Sequence, residues 1–249
     1  MPSSAALAVL ALVLSDSPMS EGLKRAEAQR HFNAGQDKMQ AELFEQAVRE
    51  FKAAIELDPS LVLAHYNLGQ SYMALKAYPA AVQAYLGCRE AIERLDSLQQ
   101  GQSVEHDQQI DDQIRELEQL LRNLQRERRQ DSRDNVRTMM VESRIRVLEG
   151  LRGKGKNERT RIPAELYVAL GSAYYRQGAL ADAEREYTAA IRTDPKMGPA
   201  HNNLAVIYML SGRYKEAHVA LQKAEKNGFA VNPNLKRDLA AREAGAGKF

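Results

Sequence analysis

The chain has one cysteine, no tryptophan, only eight prolines and a net charge of just +2. The single thiol, Cys88, excludes an internal disulfide framework and a cysteine-rich zinc site. The near balance of charge argues against a wholly basic nucleic-acid binder. No glycine-rich phosphate loop, G-x-S-x-G elbow or H-E-x-x-H pattern occurs, so an enzyme would have no residues to carry its chemistry. None of His31, His65, His106, His201 and His218 is followed three or four residues on by a second ligand. That spacing gives no reason to expect a metal or another cofactor.

The longest apolar run, Ala5–Leu14, is too short to span a bilayer. Its length, and the small residues Ser15 and Ser17 after it, suit the apolar region of an export signal, although no Lys or Arg precedes it. As a cleaved signal it would send the protein to the periplasm, the cell envelope or the outside. As a plain apolar tail it would leave the protein in the cytoplasm.

What is present in quantity is repetition. Leu68-Gly69-x-x-Tyr72 recurs as Leu170-Gly171-x-x-Tyr174, with weaker echoes at Ala34-Gly35 and Leu204-Ala205-x-x-Tyr208. Four 34-residue repeats starting at Ala28, Val62, Ala164 and Gly198 bring these into register. Position eight is then Gly35, Gly69, Gly171 and Ala205. Position twenty is Ala47, Ala81, Ala183 and Ala217, and position twenty-seven is Ala54, Cys88, Ala190 and Ala224. Small side chains at these spacings let antiparallel helices cross closely. Position twenty-four carries the complementary bulk as Phe51, Tyr85, Tyr187 and Leu221. Asp58-Pro59 and Asp194-Pro195 end the second helices of repeats one and three, because a residue before proline is driven out of the helical region. Glu93 stands where repeat two would have its proline, so that helix is expected to run on.

The pattern resembles the tetratricopeptide repeat family over about residues 28–95 and 164–228. The resemblance implies an all-α fold of helix-turn-helix repeats stacked into a right-handed superhelix, here interrupted by a long charged helical insert. It also implies a groove lined by the first helix of each repeat. At the groove-facing positions this sequence has Phe32, Asn33, Gln36 and Met39, then Tyr66, Asn67, Gln70 and Met73. The later repeats contribute Val168, Ser172, Tyr175 and Arg176, then Asn202, Asn203, Val206 and Met209. Amides there can bond an extended peptide backbone, while Tyr and Met give adaptable apolar contact. The Lys/Asn clamp of the family's chaperone-tail binders is not matched, since Phe32 and Gln36 replace its first Lys and Asn and Asn67 alone agrees.

The interval between the repeat pairs fails the repeat register, which would put Arg115, Arg122, Arg137 and Glu149 at small-residue positions. Instead Ile110, Ile114, Leu117, Leu121 and Leu124 form a narrow apolar seam of the kind that pairs with another helix, and Val141, Ile145 and Leu148 continue a weaker one. Between Arg89 and Glu118 lie nine acidic and three basic residues, whereas Leu121–Arg161 has thirteen basic and six acidic. Two arms of opposite charge could therefore lie side by side, and a turn is expected at Gln99-Gln100-Gly101-Gln102-Ser103, between the extended second-repeat helix and the seam helix. The basic stretch could meet phosphate on nucleic acid or an anionic membrane. Its interleaved acids, and the lack of any aromatic residue to stack on a base, favour a solvated helix face.

The expected organisation is an apolar leader over residues 1–20, one repeat pair over 21–95, the insert and a basic loop over 96–162, and a second pair over 163–228. A capping helix and a disordered tail would fill 229–249. The functional expectation is a noncatalytic adaptor that binds an unidentified protein or peptide in its groove. The competing expectation is an assembly component that self-associates through the insert.

Overall fold

The computed structural model describes residues 18–126, 132–153 and 161–246. The Ala5–Leu14 run lies outside them. The described residues form ten α-helices: α1 Pro18–Gln40, α2 Phe44–Leu57, α3 Val62–Ala74, α4 Tyr78–Arg126, α5 Ser132–Leu151, α6 Ala164–Gln177, α7 Leu180–Thr193, α8 Gly198–Leu210, α9 Tyr214–Lys226 and α10 Pro233–Ala246. They divide into two compact units, one of residues 1–92 with 161–249 and one of residues 93–160.

In the first unit the pairs α1/α2, α3/α4, α6/α7 and α8/α9 are the four repeats. Each first helix ends the same way at position fifteen. Glu42, Lys76, Gly178 and Gly212 there have φ of 57°, 59°, 88° and 72°, the left-handed region. The next N–H bonds back to position eleven, as from Ala77 to Tyr72 O at 2.9 Å and from Arg213 to Tyr208 O at 2.8 Å. This six-to-one bond closes the helix and turns the chain into the second one. At the far ends of α2 and α7, Asp58 and Asp194 are extended, and each carboxylate accepts the N–H two residues on, from Ser60 and from Lys196, at 2.9 Å.

The cores follow one another in series, as expected of a solenoid. Phe32, Phe51, Leu68 and Ala84 form the first. Val82, Tyr85, Cys88 and Ile92 of α4 pack with Leu166, Leu170 and Ala173 of α6 in the second. The insert thus separates the repeat pairs in sequence but not in space. Tyr187, Leu204 and Ile207 make the third core, and Met209, Leu221 and Leu239 the fourth. The capping helix is α10, which buries Leu239 and is tied to α9 by Lys236 with Glu225 and by His218 with Glu243. It continues through Ala244 and Ala246, residues expected to lie in a disordered tail. Pro163 sits at the cap of α6, one residue before the helix begins.

In the second unit the expected turn at Gln99–Ser103 is absent, because α4 runs unbroken through it. One glycine costs a helix only about 1 kcal/mol, and glutamine is a fair helix former. A side-chain bond also supports the helix here, from Gln100 Nε2 to Asp96 Oδ2 one turn before it at 2.7 Å. The pairing of arms does occur further along. Ile110 and Leu148 are buried, Arg152 bonds Asp111 at 3.1 Å, and the Gly153 N–H donates to Asp107 at 3.0 Å. The later part of α4 and α5 therefore run antiparallel, with the acidic arm holding the C-terminus of the other. Ile114, Leu117, Leu121 and Leu124, like Val141 and Ile145, are half-buried.

Candidate functional site: the groove between first helices

In repeats one to three the first helix packs closely on a ring of the second. A Cβ on Gly35 would meet the Phe51 ring at 2.5 Å, one on Gly69 the Tyr85 ring at 2.5 Å, and one on Gly171 the Tyr187 ring at 2.7 Å. Position eight therefore has to be glycine wherever position twenty-four is aromatic. Repeat four has Ala205 with Leu221, a larger residue facing a narrower one. In repeat three the ring's polar end reaches the first helices of repeats three and four. Tyr187 OH lies 3.2 Å from Ser172 Oγ and is also bonded by Asn203. Burial raises the phenol pKa of both Tyr85 and Tyr187, and in Tyr187 these two hydrogen bonds pull the other way.

Where repeats two and three meet, α3, α6 and the start of α8 enclose a cavity of about 340 Å³. Tyr66, Gln70 and Met73 line one side, and Val168 and Ser172 the other. Gln70 Nε2 donates to Tyr66 OH at 3.2 Å, and Ser172 Oγ donates to Val168 O at 2.8 Å. Glu165 is the one ionisable carboxylate on the wall. Such a lining can hydrogen-bond and give apolar contact, but it offers no paired acid and base.

The sequence-expected groove residues fall into three groups. Tyr66, Gln70, Met73, Val168 and Ser172 come together in this cavity. Asn33, Gln36 and Arg176 are exposed, Asn67, Tyr175, Asn202 and Asn203 are half-buried, and Gln29 Nε2 donates to Asn33 Oδ1 at 2.8 Å. Asn202 Nδ2 donates to Asn203 Oδ1 at 3.3 Å, while its own buried Oδ1 has no partner among the described residues. Phe32 and Met209 are corrections, being core residues at 6% and 7% exposure. Phe32 packs on Phe51 with ring centroids 6.0 Å apart, in the same relation as Tyr66 to Tyr85 at 5.7 Å. Lacking a hydroxyl to keep wet, it sinks further than Tyr66. Met209 shares its core with Leu239, because the capping helix covers the last repeat. Glu165 and Pro199, both at position two, belong to the cavity wall as well. Position two faces the groove in the family pattern, so that signal was available in the sequence.

The histidines at position four hold turns. His65 Nε2 donates to Pro59 O at 3.1 Å and His201 Nε2 to Pro195 O at 3.0 Å. In repeat one, which has no preceding turn, His31 Nδ1 instead lies 2.8 Å from Glu50.

Family models for the TPR repeat and the tetratricopeptide repeat match residues 35–76 and 168–228. The chain is a tetratricopeptide-repeat protein. Among solved structures it is similar to PilW, described as a widely conserved type IV pilus biogenesis factor, at 16% identity over 88% of this chain and 87% of that one, with a TM-score of 0.41. It is also similar to pilF of Pseudomonas aeruginosa, at 14% identity over 90% of each chain and a TM-score of 0.35. A third is a thermophilic TPR protein of Thermus thermophilus, at 17% identity over 89% of this chain and 100% of that one, with a TM-score of 0.33. Overlaps this partial carry no argument about shape or role. The search of curated proteins found no match.

Proposed function

We propose that the protein is a noncatalytic adaptor that holds an extended segment of a partner protein along the groove between its first helices. The observation that supports this most is the mostly uncharged cavity between α3 and α6, with Glu165 its one carboxylate, on the same first helices that carry the half-buried amides Asn67, Asn202 and Asn203. Asn202 Oδ1 is buried without a partner among the described residues, a cost of about 1–3 kcal/mol that a turn of this side chain toward a bound segment's backbone N–H would relieve. Phe32 and Met209 drop out of this reading, and Glu165 and Pro199 join Val168 and Ser172 in it.

Random peptides panned on the full chain should yield binders that lose about tenfold in affinity on Tyr66→Ala, and again on combined Asn67→Ala and Asn203→Ala. Binders indifferent to all three changes would refute the groove. We propose also that Ala5–Leu14 is an export signal, which would place this encounter at the envelope. Sequencing the amino terminus of the mature protein tests it, and a retained Met1 would overturn it.

A further inference from the structure

The repeats build a second kind of cleft, between neighbouring second helices, and build it twice at the same register. In the first copy, of about 540 Å³, Ile55, Leu68, Tyr72 and Ala84 form the floor between α2 and α4. In the second, of about 370 Å³, Ile191, Leu204, Tyr208 and Ala220 do the same between α7 and α9. The recurrence makes the cleft itself a product of repeat stacking, so any particular role has to come from residues that differ between the two.

They differ at the rim. The first cleft carries Lys52 and Glu56 together, with Gln83 and Gly87 on α4. At the positions of Gln83 and Gly87 the second cleft has Val219 and Lys223, and Lys215 lies one turn before Val219. Val219 is half exposed, an aliphatic side chain between two lysines on one stripe of α9. No ion pair to Lys215 or Lys223 forms among the described residues, and the nearby carboxylates are already engaged. Arg213 bonds Glu216 twice at 2.7 Å and Glu184 at 2.7 Å while stacking on Tyr208 at 4.1 Å. An apolar floor, an exposed valine and two unspent cations are complementary to aliphatic side chains flanked by carboxylates.

We propose that the cleft between α7 and α9 is a second docking site, separate from the groove of the first helices, for an acidic–aliphatic segment of a partner protein. Its leucine-like side chains enter over Ile191, Leu204 and Ala220, and its carboxylates pair with Lys215 and Lys223.

The test uses the full chain and a short fluorescent peptide with two leucines one helical turn apart, flanked by glutamates. Saturable, salt-sensitive binding is expected, weakened about tenfold or more by Lys215→Glu with Lys223→Glu and similarly by Val219→Asp. These side chains are exposed, so the thermal unfolding midpoint should hold. Gln83→Glu in the first cleft should leave affinity unchanged, as should Ser172→Trp in the groove. Equal affinity for a peptide with lysines in place of the glutamates would overturn the proposal. So would indifference to the lysine changes, loss of binding on Ser172→Trp, or a self-associated protein whose dimer, and not the peptide, is lost with the lysines.

Discussion

Gly171 lies so close beneath Tyr187 that a methyl group on its Cα would come within 2.7 Å of the ring. The ring is fully buried and anchored at its hydroxyl by Ser172, so it has little room to yield. Gly171→Ala should therefore be destabilising by on the order of 1–2 kcal/mol, overpacking outweighing the better helix propensity of alanine. Tyr187→Leu in the same chain should recover part of that loss, reproducing the Ala205/Leu221 pair of repeat four. Urea unfolding of both single variants and the double variant measures the coupling, and additive effects would show that the two positions do not share one space.

Glu42 and Lys76 occupy the left-handed position that Gly178 and Gly212 fill in the later repeats. Lys76→Gly should stabilise the fold by about 0.5–1 kcal/mol, the relief of strain exceeding the added freedom of the unfolded chain. Gln222→Gly, exposed in the body of α9, should cost a comparable amount. Thermal unfolding of the two variants side by side checks the sign.

The buried carboxylate of Glu186 faces Arg89 at 3.6 Å across the junction of the repeat pairs, with Arg185 and Asp182 nearby. Burial raises its pKa, more than Arg89 lowers it. The native state then keeps this proton to a higher pH than the unfolded chain does. The unfolding free energy should therefore fall as pH rises from the ordinary glutamate value through the raised one, then level off. Glu186→Gln should remove that slope, and denaturation at a series of pH values would show it.

Cys88 is buried between α4 and α6, and its thiol pKa is pushed up to about 11. Alkylation at neutral pH should proceed only through opening of this core, and so should accelerate by orders of magnitude in denaturant. Rapid labelling of the native protein would contradict the packing of α4 on α6.

Ile110 and Leu148 are buried within residues 93–160, and the seam beside them is half-buried there. Leu117→Asp with Leu121→Asp should thus cost this unit helicity and about 1–3 kcal/mol per site, without changing the molecular mass in solution. Sedimentation and circular dichroism separate this from a seam that joins two copies, which would show a dimer dissociating.

How much of this was legible in the sequence depended on whether a feature was set by local chemistry or by a neighbour. The small and aromatic positions of the repeats announce their packing, and Asp58-Pro59 announces its stop. Glu42 and Lys76 give no sign of their left-handed backbone, which the six-to-one bond imposes. Gln99–Ser103 looked like a turn because polar residues and one glycine cluster there, yet each of its glutamines is at ease in a helix. Phe32 and Met209 were read from register alone, whereas a facing ring and a capping helix decide their burial. Both walls of the groove cavity were legible, one through Tyr66, Gln70 and Met73 and the other through Val168 and Ser172. Their meeting was not, since it depends on α6 stacking directly on α4 despite the insert between them.

The groove itself is tested most directly by placing a photoreactive side chain at Gln70, on the cavity wall, or at Gln83, on the opposite helix of the same repeat, in the native cell. A discrete covalent adduct should form from Gln70, be absent from Gln83, and disappear when Ser172→Trp fills the cavity. An adduct from Gln70 that survives Ser172→Trp, or one that forms equally from Gln83, would contradict the account.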